Sequence, residues 1–402
     1  ASVQICAMVL PVYWDLAAYL VLEEIAAFEP DLVIMNGIAG PSQPLWLELG
    51  SVNRAMGLYD GSGALELIDG SPLVPDAHRL CLMNLMLPPD MPFWISKLLP
   101  ENTIRYCLDV GKGQTMHVTE SGQGFPVLML HGNPTWSFYY RNLVLALRDT
   151  HRCIVPDHIG CGLSDKPGDD AYDYRLRSRI EDVDTLVDHL DLQQPLTLVV
   201  HDWGGMIGFA WAVRNPARIA RTVIMNTAAF PIPPAKRMPP ALSLVRDTRL
   251  GAFLVQRLNA FSGIAARVGF KKPVSQEIRK CYTLPYDSPQ NRIATLKFVQ
   301  DIPLCDDDPG YDILLNTAER LHLLADRPCL IAWGEKDFVF DQPFLDTWLS
   351  HYPHAEVLRF PECGHYILED GGDALITHIT RFIGLREESE HGHASGTNLE
   401  HG

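Results

Sequence analysis

The sequence lacks the short motifs by which several common enzyme classes are identified. No G-x-S-x-G window occurs in the 402 residues, which counts against a serine esterase, and no glycine-rich phosphate loop is present. The nine cysteines are an odd number and contain no C-x-x-C pair. We therefore expect reduced, mostly buried thiols, which is typical of a protein of the cytoplasm.

Positive charge is scarce as well. The chain contains 33 Lys and Arg against 49 Asp and Glu, a formal net charge of −16, which argues against nucleic acid and against anionic membranes as partners. A membrane span is not expected, because the apolar first 22 residues have no basic start and are interrupted by Pro11 and Asp15. With 47% hydrophobic and 20% charged residues, the chain can still bury a sizeable core.

The N-terminal part contains one short α/β pattern. Its periodicity predicts a βαβ unit with a strand at residues 5–10, a helix at 13–28 and a strand at 31–36. Scattered Gly and Pro then indicate a boundary. We expect a small α/β segment over residues 1–75 and a linker over 76–103.

A longer pattern begins near residue 104. Short apolar strands alternate with helices, which predicts an α/β fold whose mainly parallel sheet is covered on both faces. Between about residues 230 and 320 the alternation stops, and helix-like runs predict an inserted helical cap. The catalytic domain is expected over residues 104–386, and a disordered tail over 387–402. The expected strands lie at about 104–110, 114–120, 127–130, 153–155, 196–200, 222–225, 329–333 and 356–360, and the helix-like runs of the cap at 242–258 and 288–299.

The strongest local signal is a β-branched strand that turns sharply into a helix at His201-Asp202-Trp203-Gly204-Gly205. Such a strand-to-helix elbow needs small residues near its tip, where the backbone is strained and closely packed. Gly204 and Gly205 meet that need. The tip is then Asp202, so the nucleophile would be a carboxylate that attacks an electrophilic carbon and forms an ester.

Two further polar residues follow the last two predicted strands. His365 lies in Cys363-Gly364-His365-Tyr366, where it could act as the base that breaks the ester down. Asp337 follows the preceding strand and could orient the imidazole and stabilise its charge. The chain order nucleophile, acid, histidine is the order that an α/β-hydrolase uses. This triad needs no metal and no organic cofactor.

Asn133 and Trp203 are the expected donors to an anion. In this fold, one backbone N–H of the oxyanion hole follows the nucleophile and another comes from the loop after an early strand. The indole N–H of Trp203 and the side-chain amide of Asn133 add two donors. Together they could hold a leaving anion, either halide or carboxylate, in an otherwise apolar pocket.

The segment from about 104 to 386 resembles the haloalkane dehalogenase group of α/β-hydrolases. Within that group it looks most like the OleB family, the β-lactone decarboxylases of bacterial long-chain olefin biosynthesis. The resemblance implies conversion of a cis-β-lactone with two alkyl arms to a cis-alkene and CO₂, and association with other olefin-biosynthesis enzymes. It rests on His131-Gly132-Asn133-Pro134-Thr135, residues 156–167, His201-Asp202-Trp203-Gly204-Gly205, residues 136–141, residues 297–304, residues 336–341 and residues 364–370.

Three other functions remain open. A haloalkane dehalogenase would use the same nucleophile on a carbon–halogen bond and would hydrolyse the ester with water. An epoxide hydrolase shares the Asp elbow but needs paired cap tyrosines, for which Tyr282, Tyr286 and Tyr311 are available. A non-catalytic binding protein that keeps a hydrolase shell is the alternative from a different class.

The N-terminal segment resembles another family. Over about 70 residues, Leu10-Pro11-Val12, residues 30–34, residues 37–40, Leu47-Glu48 and Asn53 are similar to the pyroglutamyl peptidases. In that family a Glu at the position of Glu48 works with a Cys and a His. The motif that should contain the cysteine is missing here, and Cys81 and His78 lack its context. We therefore expect an inactive fragment.

Overall fold

The computed structural model describes residues 98–100, 103–111 and 113–384, together with the backbone pairing of five short strands nearer the N-terminus. Contacts divide the chain into two compact units, Ala1–Pro92 and Phe93–Gly402. Most of the expected linker and all of the expected tail lie outside the described residues, so the domain boundaries stay predictions.

The N-terminal unit contains a three-stranded sheet and a two-stranded pair. In the order β1, β3, β2, the central strand pairs antiparallel with both neighbours, and β4 pairs antiparallel with β5. The two strands predicted at residues 5–10 and 31–36 are present, but they do not pair with each other directly, because the strand β3, which was not predicted, lies between them. The expected helix at residues 13–28 lies outside the described residues. The strands are β1 (Ile5–Val9), β2 (Leu32–Asn36), β3 (Trp46–Gly50), β4 (Gly57–Tyr59) and β5 (Leu65–Leu67).

The larger unit is built on an eight-stranded sheet. The strand order is β13, β12, β11, β10, β8, β9, β7, β6, and β7 pairs antiparallel with both of its neighbours while every other pairing is parallel. The predicted mainly parallel sheet is confirmed. The strands are β6 (Ile104–Asp109), β7 (Thr115–Ser121), β8 (Phe125–Leu130), β9 (His151–Pro156), β10 (Leu196–Asp202), β11 (Ile219–Thr227), β12 (Cys329–Gly334) and β13 (Glu356–Phe360).

The central strands are apolar because helices cover the sheet. Every residue of β10 and β12 is buried. The helix Leu176–His189 packs against the helix Trp203–Ala212, and the helix Arg141–Leu147 packs against the helix Ile367–Gly384. No helix of the described part of the chain combines the length and apolarity that crossing a membrane requires. The helices around the sheet are α1 (Arg141–Leu147), α2 (Leu176–His189), α3 (Trp203–Ala212), α10 (Gln342–His351) and α11 (Ile367–Gly384).

The cap is formed by six helices between β11 and β12. The helix-like run expected over residues 242–258 is helical but not continuous, because the chain breaks into two helices at Thr248. That residue is extended, with φ −129° and ψ 147°, and its hydroxyl caps the next helix by accepting from the N–H of Gly251 at 3.0 Å. The cap helices are α4 (Pro240–Asp247), α5 (Arg249–Leu258), α6 (Ala260–Val268), α7 (Gln276–Thr283), α8 (Ile293–Gln300) and α9 (Tyr311–Arg320).

Candidate active site

Asp202 lies at the tip of the elbow between β10 and α3. Its backbone has φ +51° and ψ −127°, a left-handed conformation that non-glycine residues rarely adopt. Such strain persists only where the surroundings enforce it, and here strand and helix are both buried. The elbow therefore holds the carboxylate at the C-terminal edge of the sheet.

The glycines after Asp202 permit this close packing. A Cβ at Gly204 would collide with the carbonyl oxygen of Leu130 in β8, and one at Gly205 would collide with the Thr227 side chain. Gly132 faces the nucleophile in the same way, because a Cβ there would overlap the Asp202 carboxylate. The sequence indicated that small residues are required here, and the structure shows the reason: neighbouring atoms leave no room for a Cβ at these positions.

The structure brings Asp202, His365 and Asp337 together. Nδ1 of His365 lies 2.8 Å from Oδ2 of Asp337, and Nε2 of His365 lies 3.6 Å from Oδ2 of Asp202. All three side chains are buried. His365 thus lies between two carboxylates, hydrogen-bonded to Asp337 and within electrostatic contact of Asp202.

Burial and charge set the protonation of this site. Burial raises the pKa of Asp202, and the opposing effects of His365 and of the backbone N–H groups of Asn133 and Trp203 do not cancel it. For His365, burial alone would lower the pKa, but Asp337 and Asp202 outweigh burial and raise the pKa to about 9. Imidazolium paired with carboxylate is the form that this arrangement favours near neutral pH.

The raised pKa of His365 predicts a loss of stability at alkaline pH. A group whose pKa is higher in the folded state stabilises the fold below its unfolded value, about 6.5, and this contribution disappears as pH rises through about 9. We expect the free energy of unfolding of wild type, minus that of His365→Gln, to fall by on the order of 3 kcal/mol across that window. Urea unfolding of both proteins at several pH values measures this difference in the free energy of unfolding. An equal pH dependence in both proteins would contradict the assignment.

Asn133 and Trp203 also lie at this site. The backbone N–H of Asn133 donates to Oδ1 of Asp202 at 2.7 Å, which leaves the other carboxylate oxygen facing His365. The Asn133 amide donates one hydrogen to the carbonyl of Thr295 in the cap at 3.0 Å. Trp203 packs against Phe298, with ring centroids 5.1 Å apart. All five residues that the sequence singled out therefore surround one point.

A cavity of about 290 Å³ opens at this point. Asn133, Asp202, Trp203 and His365 line its inner end, and the remainder of the wall is almost wholly apolar. Its wall is formed by the core and the cap together. Representative apolar lining residues are Met206, Leu254, Phe261, Val299, Phe340 and Phe344.

Two residues for which the sequence predicted no role, His201 and Asp370, support the triad. Nε2 of His201 lies 2.8 Å from the carbonyl oxygen of His365, and the centroids of the two imidazole rings are 4.7 Å apart. The carboxylate of Asp370 accepts from the N–H of Gly364 at 2.7 Å and from the N–H groups of Lys271 and Lys272, both at 2.9 Å. Asp370 therefore connects the loop before His365 to the cap. The one available signal was an acidic pair, Glu369-Asp370, close after the histidine.

Comparison with known proteins agrees with the fold. Residues 126–372 match the family described as alpha/beta hydrolase fold. The chain belongs to this family. The matched residues of this α/β-hydrolase do not include the N-terminal segment, so its resemblance to pyroglutamyl peptidases stays a prediction.

Relatives of this α/β-hydrolase carry specific names. A protein of Shewanella oneidensis named cis-3-alkyl-4-alkyloxetan-2-one decarboxylase is 56% identical over 272 residues, which are 67% of this chain and 86% of that protein. A protein of Xanthomonas campestris pv. campestris with the same name is 47% identical over 283 residues, 69% of this chain and 94% of the other. Among solved structures, the haloalkane dehalogenase DatA of Agrobacterium tumefaciens C58 has a TM-score of 0.64 at 25% identity, covering 71% of this chain and 98% of DatA.

Proposed function

We propose that this α/β-hydrolase converts cis-3,4-dialkyl β-lactones to cis-alkenes and CO₂, with Asp202 as the nucleophile. The observation that carries the proposal is a strained, buried carboxylate that faces His365 at the end of an apolar cavity. The names of the relatives at 56% and 47% identity support the substrate class, since an oxetan-2-one is a β-lactone. An apolar cavity suits the two alkyl arms of such a substrate.

The first step opens the ring. Asp202 attacks the ring carbon that bears the ring oxygen, a carbon–oxygen bond forms to Asp202, and the bond from that carbon to the ring oxygen breaks. The displaced electron pair becomes a carboxylate on the neighbouring carbon, and the release of ring strain favours this step. The intermediate is an alkyl ester of Asp202.

The second step releases the products. The carbon–carbon bond to the carboxylate breaks, its electron pair forms the alkene, and the ester bond to Asp202 breaks to regenerate the carboxylate. Backside attack leaves the Asp202 oxygen and the new carboxylate anti to each other without rotation, so elimination keeps the two alkyl arms cis. Neither water nor a net proton is consumed.

Asn133, Trp203 and His365 have distinct roles in this proposal. Trp203 and Asn133 bind the carboxylate that ring opening produces, and the backbone N–H of Asn133 orients Asp202. His365, whose pKa is raised to about 9, stays cationic near neutral pH and stabilises Asp202 as it leaves. Asp337 holds the imidazole in place.

A haloalkane dehalogenase is the second candidate, and the similarity to DatA favours it. It would form the same ester on Asp202, but water activated by His365 would have to break that ester. The two reactions therefore differ in whether water is consumed. They also differ in the anion that Asn133 and Trp203 would hold.

The two remaining alternatives have less support. An epoxide hydrolase needs cap tyrosines in the cavity, but the hydroxyl of Tyr282 donates to Glu369 at 2.6 Å and that of Tyr286 to the carbonyl of Thr135 at 3.2 Å. Tyr311 is not part of the cavity wall. A non-catalytic binding protein would have no need of a strained carboxylate beside a histidine pair.

One experiment separates the candidates. The purified protein is incubated separately with a cis-dialkyl β-lactone and with a panel of bromoalkanes, and alkene and bromide are measured. We expect alkene with the cis geometry from the lactone. Release of bromide without formation of alkene would overturn the proposal in favour of a dehalogenase.

Removing the indole N–H of Trp203 should slow the reaction. We expect Trp203→Phe to lower kcat by about 10²- to 10³-fold, because one preorganised donor to the developing carboxylate is lost while an aromatic ring is kept at the position. Steady-state kinetics with the lactone measure the effect. Trp333→Phe is the matched control, because the Trp333 indole nitrogen is buried without a hydrogen-bond partner in the described part of the chain. Equal losses in both variants would refute the role of Trp203.

The family resemblance also suggests a place of action. We propose that the protein associates with thiolase-, reductase- and lactone-synthetase-like enzymes of the same olefin pathway, which a pull-down with each enzyme tests. The cytoplasmic location that cysteine usage predicts stays a prediction. Neither statement affects the chemistry at Asp202.

A further inference from the structure

One face of the cap exposes bulky apolar side chains. Of the ten exposed large hydrophobic residues in the described part of the chain, six lie within residues 244–268. On α5, Leu250, Phe253 and Leu258 are 59%, 53% and 63% exposed. Most protein surfaces contain exposed apolar residues that are scattered singly. Here such residues are concentrated in one short stretch of the chain. We define this cap surface by Leu244, Leu250, Phe253, Leu258, Ile264 and Val268.

The cap surface is continuous with the wall of the active-site cavity. Leu244, Ile264 and Val268 belong to both. On α5, Leu254 lines the cavity, and Leu250 and Leu258 lie four residues before and after it, on the same side of the helix. An apolar path therefore runs from the outside of the cap to the inner end where Asp202 lies.

The same region has an excess of positive charge, although the protein as a whole is acidic. Residues 231–300 contain 12 Lys and Arg against 3 Asp and Glu, whereas the whole chain contains 33 against 49. From residue 248 to 276 there is no acidic residue at all. Within residues 231–300, the exposed basic residues that form no ion pair with the described part of the chain are Arg237, Arg249, Arg257, Arg267, Lys271, Lys272 and Lys280.

We propose that the cap surface docks on an anionic phospholipid surface, with the mouth of the cavity facing the lipid. Helices that lie in a membrane interface insert an apolar face among the acyl chains while Lys and Arg reach the phosphates. The arrangement on α5 fits this description, because Arg249 and Arg257 flank Leu250 and Phe253. The whole-chain charge led to the opposite expectation because it averages a basic cap with a strongly acidic remainder.

Lipid fits this surface better than a protein partner does. A protein seated on the cap surface would cover the mouth of the cavity, whereas a lipid surface would leave it in contact with a medium that dissolves apolar molecules. If the proposed function holds, the dialkyl lactone and the alkene both partition into lipid, so substrate could enter and product leave without crossing water. Docking itself depends only on the cap surface.

The test is flotation of the full-length protein with vesicles, without any substrate. We expect flotation with phosphatidylcholine vesicles that contain phosphatidylglycerol, weaker flotation with phosphatidylcholine alone, and weakening as salt is added. Arg249→Glu/Arg257→Glu should lower the partition coefficient at least about tenfold. Leu250→Ser/Phe253→Ser should also lower it by about tenfold or more, through lost apolar burial.

Matched controls make the same changes outside the cap. Arg177→Glu/Arg381→Glu alters the charge equally, and Ile104→Ser/Leu145→Ser removes two apolar residues that are 57% and 42% exposed. Both should float like wild type. No flotation of wild type, or equal losses in the controls, would overturn the proposal. Retention on immobilised polyglutamate without vesicle binding would overturn it in favour of an acidic protein, and a dimer that the cap variants alone dissociate would overturn it in favour of self-association.

Discussion

Asp202→Ala is expected to lower kcat for the β-lactone by on the order of 10⁴-fold or more, because the only group that can form the covalent intermediate is removed. The fold should survive, since the change shortens a side chain without altering the packing of Gly204 and Gly205. Alkene release and circular dichroism measure the two effects. Asp312→Ala is the control, because this cap carboxylate is 73% exposed and lies outside the cavity. Turnover by Asp202→Ala near the wild-type rate would refute the nucleophile.

Labelled water distinguishes the two reactions that Asp202 could perform. Hydrolysis of the ester inserts a water oxygen into the carboxylate, whereas decarboxylative elimination returns the original oxygen atoms. After many turnovers of the lactone in H₂¹⁸O, we expect no ¹⁸O in the peptide that contains Asp202. The same experiment on any bromoalkane that reacts gives the positive control. Incorporation of ¹⁸O during lactone turnover would show that a hydrolytic step occurs.

The strands of the main sheet were the easiest elements to predict. Buried parallel strands form short apolar runs, and β12 was expected at residues 329–333 and lies at Cys329–Gly334. Strand β11 was expected at 222–225 but extends over Ile219–Thr227. Both ends of β11 were missed because they contain polar residues. Arg221 donates to the carbonyl of Phe382 and Asn226 to that of Gly334, and the sequence alone does not reveal these distant partners.

The grouping of the site followed from topology. Asp202 ends one parallel strand of the sheet, and Asp337 and His365 each follow another. The carboxyl ends of parallel strands meet at one edge. The sequence could not give the 3.6 Å between His365 and Asp202, nor the hydrogen bond that ties Asn133 to Asp202. Both depend on how the loops pack. The exposed apolar face of α5 could not be predicted either, because the same pattern of apolar residues predicts a buried helix face.

Glu369→Gln is expected to destabilise the fold by about 3 to 5 kcal/mol, because it leaves the Arg141 guanidinium buried without a countercharge. The side chains of Arg141 and Glu369 are only 5% and 6% exposed, and two hydrogen bonds join them, one at 3.0 Å. The Tyr282 hydroxyl of α7 also donates to Glu369 at 2.6 Å. One carboxylate thus connects α1, α11 and the cap, and urea unfolding measures its contribution.

Two further variants test whether the unpaired charge of Arg141 causes the loss of stability in Glu369→Gln. Glu362→Gln breaks an ion pair to Lys336, but Glu362 is 74% exposed, so a change within about 1 kcal/mol is expected. Arg141→Met/Glu369→Leu replaces the buried pair by apolar groups and should recover part of the stability, since desolvation of two charges is avoided. A double variant less stable than Glu369→Gln would instead mean that the hydrogen bonds of Arg141 to Phe138 and of Tyr282 to Glu369 dominate. The pair would then hold the cap by geometry rather than by charge.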